Sequence, residues 1–340
     1  MDDLALVGPP VVAVPASRDP GGRFQIKSLL SILSFLVAAM HPGVLAAASG
    51  IAQRYVADRG IDKDPEVVFA ENFERESVSD IIKRWTHHRN VAGMSLSREV
   101  PVRSGGMRSL QMTALGGMNT GGHLYKRLPV GFQKLYLRYY IKYAAKGSYH
   151  HTGGYLGGYH PPRDSPQGGA GYQPRGDDRF SVGAEPVTSS LRFDLYTYWM
   201  GMRGDPNGEF WGNDFVQDPK LIAPRGRWMY VEVMVKLNTP ATSRNGELAL
   251  WINGRPVIHL GEGFPVGEWV VDSFHRTPRG RPFEGFQWRN TDQLTIGWMM
   301  LLHYVTKDPL GFVGTVWFDD VVVATSYVGP INVSGKVGRH

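Results

Sequence analysis

The chain has 340 residues and a formal net charge of +6, from 37 Lys and Arg against 31 Asp and Glu, and it contains no cysteine. The missing thiols exclude a disulfide framework, a thiolate metal site and a cysteine nucleophile, but a core of this size needs no covalent staple, so export stays open. The basic balance is either an ordinary solvated surface or a preference for polyanions; nucleic acid is the least favoured of these, since no long Lys/Arg run and no nucleic-acid motif occurs.

In chain order, the first feature is a targeting segment. Arg18, Arg23 and Lys27 precede an apolar stretch over residues 29–40, and Ala46-Ala47-Ala48 follows. A basic flank, a short apolar core and a small-residue exit describe a secretory signal peptide over residues 1–48, with the true start nearer Arg23 and an uncleaved anchor as the rival. The apolar run ends at His41-Pro42-Gly43, too early for a comfortable membrane span. A secreted or periplasmic location follows, with no stable membrane association after signal removal. Residues 49–66 read as a polar connection, 67–331 as one domain and 332–340 as a tail.

Helical patterns are scarce, with one or two turns at most over 79–85. Strand patterns recur at 67–69, 109–113, 134–143, 191–199, 228–237, 247–252, 293–300 and 315–324. Gly (42) and Pro (23) punctuate them, and Arg244-Asn245-Gly246 and Asn253-Gly254-Arg255 carry the Asn-Gly pair that favours tight hairpins. Strands without intervening helices predict an all-β antiparallel β-sandwich or jelly roll.

Alternation assigns faces. Leu135, Leu137, Tyr139, Ile141 and Tyr143 point inward, as do Leu191, Phe193 and Leu195; Val231, Val233, Val235 and Leu237; and Leu248, Leu250 and Ile252. The opposite faces carry Arg138, Tyr140 and Lys142; Arg192, Asp194, Tyr196 and Tyr198; Lys236; and Trp251. Rings that stack on sugars, beside cations that pair with carboxylates, suit an acidic oligosaccharide in one groove. The plainer account is that aromatic residues simply favour strands.

The most unusual segment is Tyr149-His150-His151-Thr152-Gly153-Gly154-Tyr155-Leu156-Gly157-Gly158-Tyr159-His160. Glycines allow close backbone approach, and His and Tyr move protons. A long Gly/Pro/Arg/Asp loop through Asp178 follows. His150, His151 and His160 lack the spacing of a catalytic metal motif, so no metal or organic cofactor is expected for catalysis. A structural calcium is conceivable if Glu71 and Glu74 meet Asp319 and Asp320, which otherwise read as strand-end charges. A glycoside hydrolase would need paired carboxylates, for which Asp194 and Glu232 are the candidates. No G-x-S-x-G element supports a serine nucleophile.

Three stretches, Lys236-Leu237-Asn238-Thr239-Pro240, Asn245 to Gly254, and Trp317-Phe318-Asp319-Asp320-Val321-Val322-Val323-Ala324-Thr325, resemble polysaccharide lyases of the family 14 type. Gly153-Gly154-Tyr155-Leu156-Gly157-Gly158 resembles that family's Gly-Gly-Lys-Leu-Pro-Gly loop, and Tyr196-Thr197-Tyr198 its Tyr-x-Tyr strand. The resemblance covers most of residues 67–331. It implies a jelly-roll enzyme that cleaves alginate, glucuronan or a related polyuronate by β-elimination. The family's loop lysine aligns with Tyr155, which cannot supply a fixed positive charge. Elimination needs a group that neutralises the carboxylate, a base for the C5 proton and an acid for the leaving oxygen. The expected assignment gives Arg192, joined by Arg138, the first role. His151 or Tyr155 is the base, unless Lys146 reaches in, and Tyr198 beside Tyr196 is the acid. Tyr140, Lys142, Lys146, His150, His160, Lys236 and Trp251, with Arg138, would bind substrate. The alternative is a lectin-like protein that holds the same polymer without cutting it.

Overall fold

The computed structural model describes residues 49–117, 121–305 and 308–333. The expected signal segment and most of the expected tail lie outside the described residues. The strands are β1 (Val67–Glu71), β2 (His87–Arg89), β3 (Met94–Ser97), β4 (Ser109–Leu115), β5 (Gly121–Phe132), β6 (Lys134–Tyr143), β7 (Thr152–Tyr159), β8 (Arg179–Pro186) and β9 (Phe193–Tyr198). After them come β10 (Trp228–Lys236), β11 (Glu247–Ile252), β12 (Arg255–Leu260), β13 (Val266–Val270), β14 (Ser273–Arg276), β15 (Arg281–Pro282), β16 (Ile296–Tyr304) and β17 (Val313–Ala324). One short helix, α1 (Val78–Ile82), starts where the Ser77 side chain accepts from the Asp80 N–H.

Two antiparallel sheets face each other. The eight-stranded sheet runs β12-β11-β10-β6-β17-β4-β3, with β1 also on β17; the six-stranded sheet runs β2-β5-β16-β7-β8-β9. Strand β17 pairs with β4 through Phe318 and with β1 from Val321, changing partner at a bulge where Asp320 has φ 45°. The sandwich core has Leu135, Leu137, Ile141, Val231, Val233, Leu248 and Leu250 from one sheet, and Leu156, Val182, Phe193, Leu195 and Leu301 from the other. Tyrosines stitch the layers: the Tyr139 hydroxyl donates to Ala184 O at 2.9 Å and the Tyr143 hydroxyl to Thr152 O at 3.0 Å. This is the β-sandwich that the alternation predicts.

The structure differs from the sequence reading at three places. Residues 49–66 are more than a polar connection: Ile51, Ala52 and Ile61 are buried against Val322, Ala324 and Val328. Arg54 closes that segment on Asp64. The Gly-rich stretch is not a loop but β7, an inner strand between β16 and β8. Of Asn245-Gly246 and Asn253-Gly254, only Asn253 (φ 51°) and Gly254 (φ 77°) form a two-residue hairpin. Asn245 instead ties its side chain to Thr239.

Candidate functional site

Because β7, β8 and β9 are adjacent, their outward positions line up across the six-stranded sheet. Tyr155 sits opposite Gly183, Gly183 opposite Tyr196, Ser181 opposite Tyr198 and Glu185 opposite Asp194. Glycine at 183 leaves space for the Tyr155 ring; a Cβ there would lie 2.3 Å from a ring carbon. Glu185, wholly buried, is the centre of this patch. It accepts a hydrogen bond from the Tyr155 hydroxyl on one oxygen, and its other oxygen lies 2.9 Å from His151 Nδ1. The His151 ring meets Tyr196 edge-on at 4.8 Å between centroids, and the Tyr196 and Tyr198 hydroxyls are 3.3 Å apart. Burial raises the pKa of both Tyr196 and Tyr198, so both hydroxyls stay protonated. The Arg179 guanidinium lies 5.5 Å from the Tyr198 ring centroid and donates to the carbonyls of Gly169 and Tyr172. Arg179 makes no ion pair among the described residues.

Tyr198 is only 6% exposed. The chain after β7 and the chain after β9 meet over this region. Gly171 and Phe210 pair their backbones, and a Cβ at Gly212 would touch the Tyr196 ring at 2.6 Å. Further along the same face, Tyr159 stacks on Trp298 at 5.4 Å, and Tyr125 lies 5.6 Å from Trp298. These rings border a hollow of ≈ 110 Å³ that also includes Arg127.

The structure therefore brings His151, Tyr155, Tyr196 and Tyr198 together. Arg192 borders the group but is held by Asp194 at 2.6 Å and Asp214 at 3.1 Å. Burial, then the nearby Asp194 charge, pushes the Asp214 carboxyl above the usual carboxylate range, against the lowering effect of Arg192. Asp194 accepts the N–H groups of Phe215, Val216 and Gln217, so the Arg192 cluster anchors the segment that follows Asn213. Its guanidinium is committed there. His150 packs on His151 at 3.7 Å between ring centroids. Lys146 is exposed in the β6–β7 turn, and His160 begins the loop after β7.

The remaining expected contacts belong to the other sheet. Arg138 is wholly buried and paired with Asp58, so it cannot join Arg192. The Tyr140 hydroxyl accepts the Ile331 N–H. Lys142 pairs with Glu99, Lys236 with Glu247, and Trp251 packs between Tyr136 and Tyr327. Alternation fixes inside and outside for each strand but not the sheet to which the strand belongs. The carboxylate pair considered for a hydrolase separates for the same reason. Glu232 lies on the eight-stranded sheet and accepts the N–H groups of Val328 and Gly329. Glu71 is paired with Arg84, and among the described residues no three His, Asp or Glu side chains are grouped to hold a metal ion. Sequence reasoning missed Glu185 and Arg179; both lie in β8, whose small residues Ser181, Gly183 and Ala184 give little alternation to read.

Solved structures share this architecture. The alginate lyase Aly36B superposes with a TM-score of 0.52 at 13% identity, over 77% of this chain and 98% of that one. A doubly substituted Aly36B in complex with alginate trisaccharide gives 0.51 at 15%, over 76% and 97%. The alginate lyase vAL-1 from Chlorella virus gives 0.50 at 12%, over 76% and 99%. At these identities the likeness is one of fold. No protein-family model and no curated protein matches the sequence.

Proposed function

We propose that this protein is a polysaccharide lyase that cleaves an acidic, uronate-containing polysaccharide such as alginate or glucuronan by β-elimination at the Tyr198 face. The observation that carries the reading is the convergence of a buried Glu185–His151 pair with the Tyr196–Tyr198 hydroxyl pair on one sheet face. Glu185 accepts from Nδ1–H and so orients the imidazole, and Nε2 is the nitrogen that takes the C5 proton. As the C5–H bond breaks, its electrons form the C4–C5 double bond and the C4–O bond breaks. Tyr198 donates its proton to the departing oxygen, and Tyr196 supports it. Arg179, rather than Arg192, neutralises the uronate carboxylate, because its guanidinium has no carboxylate partner among the described residues. Tyr155 holds Glu185 in place. No step calls for a metal or an organic cofactor.

The fold likeness to alginate lyases supports the reaction class, and the aromatic strip of Tyr125, Tyr159 and Trp298 supports a sugar polymer as ligand. The alternative, saccharide binding without cleavage, is favoured by one specific feature: Tyr155, bonded to the buried Glu185, stands where the resemblance puts a lysine. A continuous ultraviolet assay separates the two. Polyuronate incubated with the protein should gain the absorbance of a conjugated unsaturated uronyl end. No absorbance change on alginate and glucuronan, with saturable binding to either, would replace the lyase with a lectin-like protein.

A further inference from the structure

The outer face of the eight-stranded sheet is mostly sealed by the two ends of the described chain. Asp58 covers Arg138, and Val328 and Gly329 donate to Glu232. Ile331 closes over Tyr140. At one end of the sheet this cover stops and leaves a hollow of ≈ 540 Å³. That volume falls within the range of about 300–1,000 Å³ common to small-ligand sites. Its floor and walls are Met234 and three rings. Trp251 lies 6.1 Å from Tyr136 and 5.1 Å from Tyr327, centroid to centroid.

The rim is polar and bears charge. Lys134 reaches over the Tyr136 ring at 5.7 Å and makes no ion pair among the described residues. Opposite it, Glu247 binds Lys236 at 2.6 Å and His259 at 2.8 Å. Hydrogen bonding from His259, then from Lys236, holds Glu247 down to about 2, so it stays ionised as an acceptor. An apolar peptide or acyl chain would cover the Lys134 ammonium without offering it a counter-charge. A sugar ring presents an apolar face to the tyrosines and hydroxyls to Glu247, and a carboxylate on it would meet Lys134.

We propose that this hollow is a second saccharide site, on the opposite side of the sandwich from Tyr198, that takes an acidic sugar residue. Each face would then hold part of one polymer chain or two neighbouring chains, which raises the local concentration of substrate at Tyr198. The inference stands on binding alone and does not require the lyase reading.

The test is a titration of the full chain with short saturated oligouronates, followed by heteronuclear NMR of the Trp indole, Lys side-chain and His imidazole resonances, with Lys134→Glu as the variant. Two sets of perturbed resonances are expected, one at Trp251 and one near His151. Lys134→Glu should weaken the Trp251 set by roughly tenfold, the scale of one charge-assisted contact, and leave the His151 set and the melting temperature unchanged. Perturbation confined to the His151 face would overturn the second site alone. Absence of binding at both faces would overturn it together with the polyuronate reading. Equal binding of neutral oligosaccharides at Trp251 would overturn the acidic part of the proposal.

Discussion

At Tyr198 one hydroxyl sits between the influence of a cation, Arg179, and a buried anion, Glu185, and within reach of a second hydroxyl on Tyr196. Removing that hydroxyl while keeping the ring isolates its chemistry. Tyr198→Phe is expected to lower kcat by about 10²–10⁴-fold, the usual worth of a positioned acid, with oligosaccharide affinity nearly unchanged in a binding titration. Glu185→Gln keeps the shape but removes the charge that Tyr155 and His151 share, a loss of about 1.5–3 kcal/mol per charge-assisted hydrogen bond. Its kcat should fall with KM steady, and the imidazole nitrogen shifts of His151 should move. A third residue sets a pH limit. His303 is wholly buried, bonded to Thr152 Oγ1 and Gly314 O, and burial holds its pKa down to about 4. The unfolded chain binds that proton from about 6.5, so the stabilising contribution is complete above 6.5 and is lost as pH falls through 4. Thermal unfolding should show His303→Gln losing less stability than wild type between pH 7 and 4, by up to about 3 kcal/mol. That Tyr196 and Tyr198 share a face was legible from alternation, and their acid role came only from the Tyr-x-Tyr resemblance. Glu185 was not legible, because a single buried carboxylate becomes meaningful only once register places it beside Tyr155.

Strand β7 shows what a sequence pattern hides at the level of an element. Its glycines read as loop, yet each missing Cβ is a place where a neighbour has moved in. At Gly157 it is the Trp298 ring, and at Gly154 the Tyr139 ring. The same reasoning makes Gly183→Ala informative. The added methyl must displace the Tyr155 ring, so activity should drop severalfold or more while the sheet, supported by β7 and β9 on either side, still forms. Circular dichroism alongside the assay checks this. The segment over Tyr196 depends on Asn213. Its Oδ1 accepts from Trp199 Nε1 and the Arg203 N–H, and its Nδ2 donates to Arg203 O. Asn213→Ala should cost about 1–3 kcal/mol and speed amide exchange over residues 203–217 well before the core strands respond. Tyr198 is only 6% exposed beneath this segment, so the variant reports on exposure of the Tyr198 hydroxyl as well as on stability.

For the molecule as a whole, the inward-facing residues of β6, β9, β10 and β11 were correctly read, and the jelly-roll class followed from them. The division into two sheets was not readable. A strand with one apolar face looks alike in either layer, so Arg138, Tyr140, Lys142, Lys236 and Trp251 seemed to share a groove with Tyr198. Only the pairing order β10-β6-β17 against β7-β8-β9 separates them. That separation turns one broad imagined groove into a compact face of His151, Tyr155, Tyr196, Tyr198 and Glu185 and a distinct aromatic hollow behind it. The most direct test of the account is the mass of the products released from purified polyuronate. Each cut is expected to release one fragment with a new dehydrated, unsaturated non-reducing end beside one with an ordinary reducing end. New fragments none of which carries an unsaturated end, or unchanged polymer, would contradict elimination at the Tyr198 face.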